Sequence, residues 1–309
     1  MAEIVLVTGG HGFIGRHVCR AMSRRGFTVR GLGHGDWSSV ERSTWGLSDW
    51  LCDDISFESL SAITRADRVS AVVHCAGTGS VSLSYSAPFE DFQRSAASVA
   101  TLLEFVRTAR PDARVVLASS AAVYGDQGDV DLVESSACSP ISPYGFSKRA
   151  AEDLCRSYSQ FFGLRVSIVR LFSVYGEGLR KQLLWDAASK LSTGDAAFFG
   201  TGHEVRDWIH VDDAAELLCE AAFARSTNLE IFNGSHVQAT TSEVLNLLGT
   251  LVGCGIQPKF TGETHVGNPH RLTADGSHVR SQLAWRPQVT LPDGLQRYAE
   301  WFQSKGSRR

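Results

Sequence analysis

The stretch "SPYGFSKRAAE" sets Tyr144 and Lys148 four residues apart, on one face of any helix that contains them. A phenol at that spacing from an ammonium can exchange a proton near neutral pH, because the positive charge stabilises the phenolate. Alone, the pair describes an ordinary amphipathic helix equally well. Its weight comes from "VVLASSAAVYG" upstream. There Ser120 stands just past a buried apolar run, at the carboxyl edge where ligands sit in parallel sheets. A hydroxyl in that place can hydrogen-bond a substrate oxygen that gains or loses a proton. Serine, tyrosine and lysine together predict acid–base chemistry on a substrate hydroxyl.

A second group of residues binds rather than reacts. In "VTGGHGFIG", Gly9, Gly12 and Gly15 follow a strand-like run directly and cross the start of a helix that Phe13 and Ile14 open. Glycines here allow a tight turn and keep side chains out from between the backbone amides and a pyrophosphate; the helix start adds unpaired N–H groups and a positive dipole end. A dinucleotide over this turn would also pass Cys75, Ala76 and Gly77, the small residues that close "AVVHCAG". At the end of the second strand, "FTVRGLGHGDW" offers Gly33 where an acidic residue would bond the adenine ribose. The missing carboxylate leaves room for a 2′-phosphate faced by His34 or Arg30, which favours NADP over NAD. The alternative is a plain ribose held by Asp36 or by backbone groups. Asp54 and Ile55, in "CDDIS", stand where an adenine edge could be met, and Asp54 would equally suit a helix cap.

Alternating apolar runs and helical segments must position these residues. "EIVLVTG", "FTVRGLG", "AVVHCAG", "ARVVLASS" and "LRVSIVRLF" read as buried strands. Helices are expected after the first of them, over "FEDFQRSAASVATLLEFVRTA" and over "YGFSKRAAEDLCRSYSQFFG". This rhythm predicts an α/β, Rossmann-type doubly wound parallel sheet. After Phe172 it loosens, and a smaller interleaved substrate domain is expected. The division read from the chain is 1–172 with 206–233 for the dinucleotide and 173–205 with 234–309 for the substrate. Trp185 and Trp208 are candidates for stacking on a base or for core packing.

The 309-residue chain has a net charge of −3, which gives no electrostatic case for nucleic acid or an anionic membrane surface. Its seven cysteines are scattered and never spaced as Cys-x-x-Cys, which argues for reduced thiols in a cytoplasmic protein. No apolar run suggests a bilayer span. None of the ten histidines has metal-ligand spacing, so no metal is expected.

With these residues in view, the sequence resembles the extended short-chain dehydrogenase/reductases, the NAD-dependent epimerase/dehydratase group that acts on nucleotide-sugars. "TGGHGFIG" is similar to the family's glycine motif, "SSAAVYG" to its serine strand end and "SPYGFSK" to its tyrosine–lysine motif. The resemblance implies that Tyr144 is the acid/base, Lys148 holds the nicotinamide ribose and lowers the tyrosine pKa, and Ser120 holds the substrate hydroxyl. It further implies that Arg206, in "FGTGHEVRDWIHVDD", meets the nucleotide and that Arg271, in "RLTADGSHVRSQLAWRP", contacts phosphate, with Asp275 in the matching acidic position. The basic run "GLRKQLLWD" adds Arg180 as a candidate substrate contact. A homodimer is implied, with the long helices that start near Phe89 and Tyr144 pairing across a two-fold axis.

Departures from the family pattern narrow the chemistry. Where dehydratases carry Asp-Glu after the catalytic hydroxyl, this chain has Ala121 and Ala122, which have no proton to move. Two usual asparagines are Ser95 and Ser173, and serine reaches less far with one group fewer. The leading expectation is a nucleotide-sugar 4-epimerase working by transient C4 oxidation. The alternatives are an NADPH-dependent reductase of a nucleotide-linked 4-keto-deoxy sugar and a non-catalytic sensor of the same ligands.

Overall fold

The computed structural model describes residues 3–225, 229–253, 255, 257–264 and 269–306. Cys254 and part of the glycine-punctuated loop after it lie outside them. The strands, in chain order, are β1 (Ile4–Thr8), β2 (Thr28–Gly33), β3 (Leu47–Cys52), β4 (Val69–His74), β5 (Arg114–Ser120), β6 (Asp131–Leu132) and β7 (Val166–Leu171). There follow β8 (Ser173–Tyr175), β9 (Ala197–Phe198), β10 (Val205–His210), β11 (Glu230–Gly234), β12 (Val237–Thr240), β13 (Lys259–Phe260) and β14 (Arg271–Ala274).

Seven of them form one sheet in the order β11–β7–β5–β4–β1–β2–β3, and every neighbouring pair is parallel. The expected doubly wound architecture is therefore present. Strand β1 shows why both faces must be covered. Val5 and Val7 point into one apolar cluster with helix Val211–Ala222, while Ile4 and Leu6 point into another with helix Ser98–Ala109. Strand order reverses between β1 and β4, so their carboxyl ends bound the crevice where a ligand sits in such sheets.

Helix Pro143–Phe162 carries the tyrosine and lysine. Ser142 caps it by accepting from the Gly145 amide, Pro143 occupies the first turn, and Gly163 ends it in the left-handed conformation at φ 71°.

Three features differ from the sequence reading. The edge strand β3, "LSDWLC", was not expected; its six residues neither alternate nor form a continuous apolar run. The long helix expected from Phe89 is interrupted by a π-helical turn at Gln93–Ala97. Residues 206–210, grouped above with the dinucleotide half, lie in a second sheet of order β12–β10–β14–β6, with β8 beside β10. The chain rejoins the main sheet only with helix Val211–Ala222. The third core, which includes Tyr175, Leu184, Trp208, Leu245 and Tyr298, lies under this smaller sheet. Trp208 is thus a core residue, its Nε1–H donating to Ala239 O at 3.3 Å.

A fully buried ion pair ties the elements around the crevice together. Arg170 on β7 donates to Glu152 from Nε at 3.0 Å and from Nη2 at 2.7 Å. The Ser119 hydroxyl on β5 donates to the same carboxylate at 2.6 Å. Arg170 also donates to the Tyr124 hydroxyl at 2.9 Å, and Tyr124 donates to Asn233 Oδ1 on β11 at 2.7 Å. Burial opposes the charge on Arg170, but hydrogen bonds and charge from Glu152 outweigh it and raise the guanidinium pKa. Removing one partner of such a pair costs roughly 3–5 kcal/mol, because the other charge stays buried. Arg170→Met should therefore shift the urea unfolding midpoint strongly downward, and Arg170→Met with Glu152→Leu should recover most of the loss. A single variant that unfolds with the wild type would contradict this.

Candidate active site

The elements that carry the three side chains expected to react meet at the carboxyl end of β5. Ser120 ends that strand and caps the short turn Ala121–Val123, its Oγ accepting from the Ala122 amide at 3.2 Å. The helix bearing Tyr144 starts against this turn. A Cβ on Gly145 would come within 2.6 Å of Ala122 O, so only a glycine lets the two segments approach. One turn further, Lys148 is buried and donates from Nζ to Ala118 O at 3.1 Å. Its ammonium lies 5.9 Å from the centre of the Tyr144 ring, as i, i+4 spacing requires. Tyr124, the other tyrosine near the serine, is buried in the ion-pair network. Burial pushes its phenol up to about 12, so it stays protonated.

The glycine turn forms a cradle. Gly9 has φ 69°, and a Cβ there would meet Ala76 N at 2.6 Å, while a Cβ on Gly15 would meet Gly9 O at 2.1 Å. Helix Phe13–Arg24 begins at Gly12 with no side-chain cap and no acid in its first turn, which leaves its first amides for an anion. Phe13 and Ile14 are half-buried at this start, and a Cβ on Gly178 would lie 3.7 Å from the Phe13 ring. Cys75 and Ala76 lie against Gly9 through their backbones. Burial pushes the Cys75 thiol up to about 12, so it is no nucleophile. Gly77 reaches the reacting group directly: a Cβ there would lie 3.6 Å from Lys148 Nζ and 3.5 Å from Ser95 Oγ. His74, beneath them, shares a 2.8 Å hydrogen bond with Thr8; burial, and then the Lys148 charge, lower its pKa to about 3, so it is neutral. A cradle that side chains would fill, bounded by Lys148, fits a dinucleotide.

The adenosine end differs from the sequence reading. Arg30 does not face the cleft. It is buried, donating to Ile63 O and Thr64 O and pairing with Asp67 at 2.6 Å. His34 and Asp54 are exposed and pair with each other at 2.8 Å, and Ile55 packs at the rim of the core. Gly33 has φ 148°, and a Cβ there would sit 3.2 Å from Gly9 N and 3.5 Å from the Trp50 ring. Close approach of two glycine backbones over an indole is reason enough for glycine at this place. Sequence reasoning missed Arg16, which donates to His11 O at 2.6 Å and stacks on Trp37 and Trp45.

On the substrate side, half-buried Ser173 opens β8, and Arg180 is exposed with its guanidinium over Trp185 and Trp301. Arg206 and Arg271 stand on the paired strands β10 and β14. Arg206 donates to the carbonyls of Val205 and Pro269, and Arg271 to Asp131 and Gln238, at 2.7–2.8 Å. Asp275 accepts from the Ser277 amide at 2.8 Å. Ser173, Arg206 and Arg271 stand on neighbouring strands of the smaller sheet, with Arg271 in register with Val205 and Arg206 with Leu272. Thr78 and Asp91 beside Ser95, and Glu152 one turn past Lys148, were also missed. Only the i, i+4 step from Lys148 to Glu152 could have pointed to any of them.

Comparison with known proteins agrees with this geometry. Residues 5–233 match the NAD dependent epimerase/dehydratase family. A UDP-glucose 4-epimerase of Azospirillum brasilense is 32% identical over 97% of this chain and 92% of its own. A UDP-glucuronate 4-epimerase of Thermodesulfobacterium geofontis is 27% identical over 96% and 95%. Among solved structures, a UDP-glucose 4-epimerase of Thermotoga maritima with UDP-glucose superposes with a TM-score of 0.88 at 25% identity, covering 99% of this chain and 100% of that one. A UDP-glucuronic acid 4-epimerase of Bacillus cereus, solved with UDP-glucuronic acid and NAD, gives 0.87 at 24% identity over 98% and 99%, a likeness of fold. The chain is a member of the NAD-dependent epimerase/dehydratase family, an enzyme of the extended short-chain dehydrogenase/reductase type.

Proposed function

We propose that this enzyme is a nucleotide-sugar 4-epimerase that uses NAD. The observation that carries the reading is the packing of the helix that bears Tyr144 and Lys148 against the turn that follows Ser120, with Lys148 beside Gly77 and only Ala121 and Ala122 following the serine. Tyr144 takes the proton of the sugar 4-hydroxyl and later returns it. Ser120 holds that oxygen by a hydrogen bond, and Lys148 holds the nicotinamide ribose while remaining fixed to Ala118 O. When bound, NAD supplies a reversible acceptor for the hydride on C4. Ala121 and Ala122 offer no acid or base to the neighbouring carbons, so the site does not assist loss of water.

Gly9, Gly12, Phe13, Ile14, Cys75, Ala76 and Gly77 would line the dinucleotide, with His34, Asp54 and Ile55 at its adenosine end. The expectation of NADP rested on space at Gly33 and a cation beside it. Arg30 is engaged elsewhere, His34 pairs with Asp54, and packing accounts for Gly33, which supports NAD instead. The reductase reading loses the same support. Residues 1–172 with 211–233 would serve the dinucleotide and the smaller sheet the substrate, a uridine diphosphate hexose or hexuronate as in the relatives. Arg206 and Arg271 are the candidates for its diphosphate, with Ser173 and Arg180 on the sugar side. The six described cysteines are free, which supports a cytoplasmic site of action; no described helix is long and apolar enough to cross a membrane. Exposed Phe89 and Phe146, on helices that start near one another, support the pairing of two copies there.

Three outcomes are expected. The purified enzyme should interconvert a UDP-hexose with its C4 epimer without added NADP, and Tyr144→Phe should lower kcat by about 10²–10⁴-fold, read by chromatography of the sugars. Turnover by Tyr144→Phe at the wild-type rate would reject the assignment. NAD should raise the melting temperature of stripped protein more than NADP does at equal concentration. Phe89→Asp with Phe146→Asp should give a monomer in light scattering where the wild type is a dimer.

A further inference from the structure

Behind Lys148 lies a buried polar chain that the proposed chemistry does not yet use. Asp91 is fully buried, and Thr78 and Ser95 are nearly so. The Thr78 hydroxyl donates to Asp91 Oδ1, and its oxygen lies 3.3 Å from Ser95 Oγ. Among the described residues Asp91 Oδ2 has no partner at all. A buried carboxylate served by a single hydroxyl is costly, and an unsatisfied buried oxygen calls for a reason.

Hydrogen count gives the chain a direction. Thr78 has one hydroxyl hydrogen, and Asp91 takes it; a carboxylate only accepts. The Ser95 contact must then run from Ser95 to Thr78, which leaves the Ser95 lone pairs free. Those lone pairs lie beside Gly77. A Cβ built there would be 3.5 Å from Ser95 Oγ and 3.6 Å from Lys148 Nζ, so hydroxyl and ammonium flank the same point. Lys148 has Ala118 O as a neutral partner and no ion pair among the described residues. The π-helical turn Gln93–Ala97 turns Ser95 inward, and turns of this kind recur at functional sites.

We propose that Asp91 is a positioning residue that acts through Thr78 and Ser95 to present Lys148 and the Gly77 loop to the nicotinamide half of the dinucleotide. The aligned hydroxyls carry the polarity of the carboxylate toward the ammonium in a low-dielectric setting. This accounts for serine at position 95 in place of the family's asparagine. An amide donates without help, whereas a single hydroxyl needs an acceptor behind it to fix which way it points. The inference rests on the reading of the site as an NAD-dependent one.

The test is affinity, independent of turnover. NADH and ADP are titrated into cofactor-stripped enzyme, the first by its fluorescence and the second by calorimetry. Asp91→Asn and Thr78→Val should each weaken NADH by about 5–10-fold, the size of one ordinary net hydrogen bond, and leave ADP within about twofold. Thr78→Ser should bind NADH as the wild type does. The double variant Asp91→Asn with Thr78→Val should be no weaker than either single one, because both cut the same chain. Wild-type NADH affinity in both single variants overturns the proposal and spares the proposed function. Equal loss of NADH and ADP also overturns it, since that marks a general loss of structure. A wild type that binds no NADH overturns both.

Discussion

The arrangement depends on one buried charge pair, Glu152 with Arg170. Glu152 lies one helical turn past Lys148, and its carboxylate is filled from two strands, by Ser119 on β5 and Arg170 on β7. Each partner adjoins a site residue: Ser119 precedes Ser120, and Arg170 lies three positions before Ser173. The pair therefore sets the depth and rotation of the Tyr144 helix against the carboxyl ends of those two strands. An apolar contact of equal area could hold the helix down, but it would not define rotation as tightly. Bidentate guanidinium–carboxylate geometry does, at the cost of desolvating two charges.

The glycine cradle is the complementary constraint. Parallel strands whose order reverses between β1 and β4 must leave a crevice at their carboxyl ends. It binds a ligand only if backbone, rather than side chains, lines it. A side chain on Gly9 would collide with the Ala76 main chain and one on Gly15 with that of Gly9, while Gly33 approaches Gly9 tightly. Binding and packing are inseparable here, because the contacts that close strand to helix also expose the amides of the helix start.

This explains which parts of the molecule were legible in the sequence. The glycine spacing, the tyrosine–lysine pair and the serine strand end are local patterns, and local geometry carries their meaning. The continuous apolar strands were legible for the same reason. Arg30 and Trp208 were ambiguous because strand residues alternate faces, and only the tertiary packing says which face looks into the cleft. Arg30 points away, to Asp67 and the carbonyls of Ile63 and Thr64, and Trp208 points into the third core. The strand β10 was grouped with the main sheet because it leads directly into helix Val211–Ala222, which does pack there. Its partners β8, β12 and β14 come from chain that carries little periodicity of its own.

Position 33 shows how a departure from a family pattern can be misread. Read alone, a glycine in place of an acid suggests a changed ligand, since a ribose hydroxyl loses its acceptor. The structure supplies a nearer cause. Trp50 lies across Gly31 and Gly33, and a Cβ on Gly31 would fall 2.7 Å from its ring. The indole, held by its Nε1–H on Gly35 O at 3.1 Å, fills the space that side chains on β2 would otherwise need. Once tryptophan occupies β3, an acid at the end of β2 would have to adopt a left-handed backbone against Gly9. The missing carboxylate is then a consequence of packing around Trp50, and the polar groups next along the chain, His34 and Asp54, pair with each other at the surface.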